Sequence, residues 1–514
     1  MAYSLEILGA VTAIYLVSLF LRAWSIRNRF RRATHQFGCQ PVKHFPNWDP
    51  FLGLDLFVTL RRADARGQLS QAYADLHKRY GNTFEMKALT DSGIQTADPQ
   101  NIQAVLATKF NDFGVGQVRG SAGAPFFDRG VFTDDGEFWK QSRSLIRPTF
   151  SRIEFANLDS FERHIGRFLA LIPQDSTPFD ILPLTKQLFL DTSSEFLFGQ
   201  SIESLLPQTP FDTGEFMKAF DDSLHGLTFR LLAGPLRFLF VLDPTWKKAY
   251  TKVHKFVDKQ VSNAIELQTV VANDDQEFTN AGKPKKYILL HEMARVTQDP
   301  LDLRAQILNV FIPARDTAAI AFGNIMFELA RHPQIWTDLR AEVLAAVSSP
   351  QQINFDLLKS LPHCKAVINE TFRLHLPVSR IKRVALRDTI LPVGGGRDEK
   401  SPVFVPQGRL VELDLYTLQR DPEIWGPDAH EFRPGRWAAG RPLWEAKWQY
   451  EPFIGGPRIC PAQQQVLLQL TYLLVRVVQN FRGIENRDEE IAYVEEMKLT
   501  SESRNGAKIA LIPA

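Results

Sequence analysis

Cys460 is one of three cysteines in a chain of 514 residues. It sits in FIGGPRICPAQQQVLLQL, Phe453 to Leu470. A cysteine thiolate is a soft, electron-rich metal ligand, provided it is kept unprotonated and shielded. Pro461 suits the first turn of a helix, which places Cys460 at or beside the N-cap, facing the positive end of the dipole. Gly455, Gly456 and Pro457 allow a tight loop with inward backbone N–H groups. Arg458 adds a cation. The helix after it carries Val466, Leu467, Leu468, Leu470, Leu473 and Leu474, apolar nearly all round, and so is expected to be buried. The same features also suit a buried, unreactive cysteine. A second pattern, Glu-x-x-Arg, occurs three times: Glu292–Arg295, Glu328–Arg331 and Glu370–Arg373. Alone it describes a common helix surface pair.

Phe453, Gly456, Arg458 and Cys460 fit F-x-x-G-x-R-x-C, which resembles the haem-binding loop of the cytochrome P450 family. The resemblance implies haem b (iron protoporphyrin IX), with Cys460 as the axial iron ligand. Ala462 stands where the family usually has Gly. Of the Glu-x-x-Arg pairs, context selects the third, because NETFRLHLP precedes strand, glycines and EFRPGRW. The resemblance then implies a buried triad of Glu370, Arg373 and Arg436 supporting the cysteine loop. FIPARDTAA, Phe311 to Ala319, resembles the family's oxygen groove, with Asp316 and Thr317 as the acid–alcohol pair of catalysis. Pro313 and Ala314 replace the usual Ala and Gly. Pro313 withholds an N–H from the Asn309 carbonyl, so a kink is expected, with Thr317 bonding a freed carbonyl. FWKQSR resembles the family's W-x-x-x-R helix, so Trp139 and Arg143 are implied to bind a haem propionate. Arg383 and Arg458 occupy further matching positions.

These residues need elements to hold them. Apolar spacing of three and four predicts helices over Phe155–Ile172 and Leu301–His332. The second, about 48 Å long, would cross a whole domain. Strands are expected at Thr83–Leu89, Arg383–Leu391 and Lys508–Ile512. The expected fold class is mainly α: the resemblance implies the cytochrome P450 fold, a large helical domain with small β-sheets, preceded here by an N-terminal transmembrane helix. Leu5 to Trp24 is apolar and about as long as a bilayer core requires. Arg27, Arg29, Arg31 and Arg32 follow it, so the positive-inside rule sets the rest of the chain in the cytosol. The expected division is residues 1–26 as membrane anchor, 27–50 as a basic, proline-containing linker, and 51–514 as the haem-binding domain. Localisation is expected to be the endoplasmic reticulum membrane, single-pass. Asn273–Lys286 reads as a flexible insert.

A net charge of +2 leaves no electrostatic footprint for nucleic acid. Three scattered cysteines exclude a disulfide framework. No C-x-x-C pair suggests structural zinc, and HEMAR lacks the second His of a zinc-protease helix. GVGQVRG, Gly114 to Gly120, is no strand–G-x-G-x-x-G–helix unit, so no dinucleotide site is expected there. Electrons must come from a partner, by resemblance an NADPH-dependent flavoprotein reductase in the membrane. Lys140, Arg143, Arg147 and Lys447 could form its basic docking face. Phe110, Phe113, Phe126, Phe127, Phe132, Phe211, Phe216, Phe220 and Phe229 crowd two regions. Most are expected in the core, with a few lining an apolar pocket.

The function expected is a monooxygenase that hydroxylates an apolar substrate, such as one with a long alkyl or fatty-acyl chain. FGCQP, DPFLGLDLF, DTSSEFLFGQSI and GGPRICPAQQ resemble most the fungal branch acting on alkanes and fatty acids. Tailoring of a polyketide or terpenoid by the same chemistry is the alternative. A haem-thiolate isomerase or dehydratase, and a non-catalytic membrane protein of the same fold, are rivals of other classes.

Overall fold

The computed structural model describes residues 2–89, 91–151, 158–209, 212–240, 243–273, 288–347, 353–438 and 447–514. Helices dominate. Those that bear on the site are α1 (Ala2–Phe37), α2 (Gly116–Gly123), α3 (Gly136–Ser151), α4 (Leu158–Ala170), α5 (Ile181–Phe198), α6 (Thr213–Ala233), α7 (Pro244–Asn273), α8 (Pro300–Arg331), α9 (Pro362–Leu374) and α10 (Gln463–Asn480).

The spine is α8. Asp299 caps its start by accepting from Leu301 N at 2.9 Å, and Pro300 fills the first helical position. It stops at His332, just before Pro333. Its side chains are buried on all sides through most of its length, Phe311 and Phe322 fully. Each such ring contributes about 2 kcal/mol by leaving water. α5 lies along it, and Gly323 admits the Leu182 side chain, whose Cδ1 stands 3.0 Å from where a Cβ would be. The helix is unbroken across Pro313. Thr317 Oγ1 donates to Pro313 O at 2.8 Å, so the hydroxyl closes on proline's own carbonyl and not on that of Asn309.

A six-stranded sheet flanks the helices. Its strands are β1 (Lys43–His44), β2 (Thr83–Ala88), β3 (Asp91–Thr96), β4 (Phe113–Gly114), β5 (Arg380–Ala385) and β6 (Leu410–Asp414), in the order β1-β2-β3-β6-β5-β4. β5 runs antiparallel to β6, with Arg383 opposite Val411, and pairs with β4, with Phe113 opposite Ala385. The expected strand Arg383–Leu391 is thus two. It breaks after Ala385 and resumes at Thr389, and the second piece pairs with Ser401–Val405. Gly394 and Gly396, at φ +108° and +81°, turn that piece.

The N-terminal region differs from expectation. α1 continues for 36 residues through the basic stretch assigned to a linker. Its last turns dock on the body: Arg29 Nη1 reaches Asp388 Oδ1 at 2.7 Å and Phe30 meets Phe404 edge-on. Residues 38–50 are also tied in, since Lys43 and His44 pair with Phe84 and Glu85. Along the first part of α1, Ile7, Ile14, Phe20 and Trp24 are exposed. Among the described residues no helix is long and apolar enough to cross a membrane, so the expected transmembrane helix is not seen as a span. The insert expected at Asn273–Lys286 lies outside the described residues from 274 onward, and so does Phe211.

Candidate functional site

The cysteine loop closes on itself. Cys460 N donates to Phe453 O at 3.0 Å, and Ile459 N to Gly456 O at 3.0 Å. Gly456 has φ +75°, and a Cβ there would stand 1.9 Å from the Leu106 carbonyl oxygen. Gly455 faces the Trp448 ring at 2.4 Å from the same imagined carbon. Neither position has room for a side chain. Phe453 packs edge-on against Phe372 of α9, with ring centroids 5.1 Å apart.

α10 begins at Gln463 with Ala462 as N-cap. Cys460 therefore precedes the cap by two residues, and Pro461 lies in a turn instead of the first helical turn. Burial pushes the Cys460 thiol above its ordinary range, against the Ala462 N–H and the Arg143 charge, which pull it down. Of the expected deprotonating influences, the N–H at the helix start is present and the cation is Arg143 in place of Arg458. Desolvation outweighs both. A metal cation bound at the sulfur itself deprotonates a thiol outright.

Arg458 is held elsewhere. It donates to Val131 O at 3.3 Å, Asp134 O at 2.7 Å and Asp135 Oδ1 at 2.6 Å. Its guanidinium lies 4.5 Å from the centre of the buried Trp139 ring. Arg143 Nη2 donates to Ile459 O at 2.5 Å. Arg383 is buried on β5, and burial, then the charges of Arg119 and Arg458, push it well below the usual guanidinium range. Arg458 is lowered to about 10 by burial, and Arg119 and Arg143 add to the effect. Four arginines thus crowd one place, with Asp135 as the carboxylate that faces three of them, Arg119, Arg383 and Arg458. Arg119, on α2, was missed in the sequence. It lies in the GVGQVRG stretch considered only as a dinucleotide motif, and no local pattern marks it.

On α8, the segment Ala305 to Ala330 is buried except at Pro313, Ala314, Asp316 and Thr317, which keep open surface. Residues 462–469, next to Cys460, are open in the same partial way, apart from Gln464, which is exposed. Asp316 is raised by burial, opposed first by Arg315 and then by Lys186. Arg315 is itself buried, with Nε 3.5 Å from Asp316 Oδ1 and Nη1 2.5 Å from Asp221 Oδ1 on α6.

The triad residues are in mutual contact. Arg436 Nε reaches Glu370 Oε1 at 2.8 Å, and Arg373 reaches both carboxylate oxygens at 2.9 Å. Trp437 Nε1 and Arg433 N complete the shell at 2.9 Å. The other two Glu-x-x-Arg pairs are unlike it. Glu292–Arg295 is a surface pair, while Glu328 turns to His375 and Arg331 to backbone carbonyls.

The whole-chain comparison agrees with this geometry. The cytochrome P450 family model matches residues 45–507. The chain belongs to the cytochrome P450 family. Among relatives, P450 monooxygenase iccC of Talaromyces variabilis is 36% identical over 500 residues, 96% of each chain. P450 monooxygenase himC of Aspergillus japonicus is 34% identical over 99% of this chain and 90% of its own. P450 52A3-B of Candida maltosa is 36% identical over 94% of both. The P450 is a monooxygenase whose cofactor is haem b. The residues present fit that group. Porphyrin carries two propionates, and the four crowded arginines hold more positive charge than Asp134 and Asp135 balance. The other two cysteines, Cys39 and Cys364, are fully buried, whereas the Cys460 side of its loop is partly open.

Most of the phenylalanines expected in the core are found there. Phe113, Phe126, Phe127, Phe216 and Phe220 are buried, while Phe132 and Phe229 are exposed. Phe110 packs on Trp139.

Proposed function

We propose that Cys460 is the axial iron ligand, with Phe453 supporting its loop, and that Trp139, Arg143, Arg383 and Arg458, joined by Arg119, receive the propionates. The observation that carries this reading is the arginine cluster, Arg383 buried and Arg119, Arg143 and Arg458 half-buried, beside a desolvated thiol. Both are unfavourable alone, and a dianionic porphyrin edge with its iron satisfies both. When bound, the haem supplies oxygen activation, which thiolate ligation favours.

The protein's part is proton handling and shape. Asp316, lifted above the ordinary carboxylate range, retains a proton more readily than an exposed acid. Arg315 and Lys186 oppose that rise. Thr317 commits its own proton to Pro313 O, which leaves its oxygen lone pairs free to accept. The pair is the catalytic acid–alcohol relay of this reading.

The substrate is apolar, with a long alkyl or fatty-acyl chain as the first candidate. Tailoring of a polyketide or terpenoid is the second reading. It is favoured by Pro313 and Ala314, whose open surfaces add bulk where the family has smaller residues. Electrons come from an NADPH-dependent flavoprotein reductase. Exposed Arg147 and Lys447 contribute to its docking, with Lys140, which pairs with Glu137 at 2.5 Å. The exposed apolar side chains of α1 and the arginines after them support anchoring in the endoplasmic reticulum membrane, catalytic domain in the cytosol.

Comparing metabolites of cells carrying the parent protein and Cys460→Ala tests this reading and names the substrate. NADPH-dependent oxygen uptake with reductase separates it from an isomerase. Turnover of a peroxide without reductase or oxygen would overturn it.

A further inference from the structure

Asn309 is a fully buried amide on α8, one turn before Pro313. Its side chain is spent on the segment between α2 and α3. Nδ2 donates to Phe127 O at 3.2 Å and to Ala305 O of its own helix at 2.9 Å. Oδ1 accepts from Phe132 N at 3.0 Å. Between those contacts Gly130 lies flat on the amide, and a Cβ there would stand 2.5 Å from both Cγ and Nδ2.

The segment is braced internally. Thr133 N and Asp134 N both donate to Gly130 O, at 3.2 and 3.1 Å, and Thr133 Oγ1 donates to Asp128 O at 2.7 Å. Its far end meets the cation cluster. Val131 O, Asp134 O and Asp135 Oδ1 all accept from Arg458. Asp135 also accepts from Val115 N at 3.0 Å and Gly116 N at 2.7 Å, the start of α2, which carries Arg119. One hydrogen-bonded loop therefore links the Asn309 amide to two of the four arginines.

We propose that Asn309 is a positioning residue for the haem: by locking residues 127–135 onto α8, it fixes Arg458 and Arg119 at the propionate edge. The inference rests on the haem arrangement proposed above. Gly130 belongs to the same device, since any side chain there displaces the amide.

The test uses the purified haem-loaded protein. Transfer of haem to excess apomyoglobin and the ferric–ferrous midpoint potential are measured for parent, Asn309→Ala, Gly130→Ala, the double variant and Asn324→Ala. The last removes another buried amide of α8, one that accepts from Tyr493. Asn309→Ala should release haem about tenfold faster, the scale of lost buried hydrogen bonds, and lower the potential, because loosened cations stabilise the reduced centre less. The reduced carbon monoxide complex should keep its red-shifted band, which separates loss of this device from loss of sulfur ligation. The double variant should be no worse than Asn309→Ala alone, since both act through one contact. If Asn309→Ala does not accumulate, Gly130→Ala carries the same expectations from the loop side. Parent-like release and potential, changes matched by Asn324→Ala, or strictly additive effects would each overturn the proposal.

Discussion

Arg373 grips Glu370 with Nε and Nη2, each 2.9 Å from a different carboxylate oxygen, and neither side chain has any exposed surface. The remaining Arg373 donors end on carbonyls of Gln419, Ala429 and Glu431. A buried charge pair of this kind is tolerable only while complete. Glu370→Ala leaves buried Arg373 without its carboxylate partner, and leaves Arg436 with Asp428 alone at 3.4 Å. It should cost about 3–5 kcal/mol, read as a large drop in melting temperature by circular dichroism, or as loss of soluble protein. Glu370→Gln keeps the shape and some hydrogen bonds and should lie between.

The relay makes a different demand. Asp316→Asn cannot supply a proton, and turnover with reductase should fall by about 10²-fold, the scale of one general acid. The fold should be unaffected. Thr317→Ala should keep NADPH oxidation but divert it to hydrogen peroxide, while Thr317→Ser should restore coupling. A Thr317→Ala enzyme as well coupled as the parent would remove the hydroxyl from the mechanism. Peroxide released per NADPH consumed is the measurement.

How much of this was legible depends on how local the cause is. The length of α8 was readable because apolar spacing, an Asp–Pro start and a following proline are all sequence-local. The cysteine loop was readable because its glycines, arginine and cysteine keep fixed spacing, yet the start of α10 was misplaced by two residues. Pro461 tolerates a turn as well as a helix, and what decides is the loop's closure onto Phe453. The triad needed context, since two identical spacings are a surface pair and an unrelated contact. Arg119 and Asn309 could not be found, because each acts through partners far away in the chain. The sign of the Cys460 shift was missed for the same reason: burial is a tertiary quantity and outweighs the local charges.

Gly456 offers a steric test. Its φ of +75° disfavours any side chain, and the Leu106 carbonyl blocks the Cβ position. Gly456→Ala must push the cysteine loop off the Ala104–Thr108 segment. Loss of about 2 kcal/mol or more is expected from backbone strain alone. Haem content per protein chain, measured by pyridine haemochrome absorbance, should fall with it. Gly435→Ala, at a position with nothing within 4 Å of the added carbon, should retain both stability and haem.

Glu451 gives the chain a pH-dependent stability of predictable sign. Burial lifts its carboxyl from an ordinary 4.5 to about 7, against the pull of the Trp448 N–H and Lys447. The unfolded chain releases this proton near its ordinary value, whereas the native fold keeps it until about neutral. In that interval the native state binds more protons, so stability declines as pH rises from about 5 to about 7 and then levels off. Glu451→Gln carries no charge in either state and lacks this decline. Parent and variant should unfold alike near pH 4, below the unfolded value, and at about pH 8 the variant should be more stable, by about 1–2 kcal/mol after allowance for partial solvent screening. Urea unfolding at the two pH values measures the difference. A variant less stable than the parent at the higher pH would mean that the carboxylate is favourably solvated in the fold and that its desolvation is not the dominant influence.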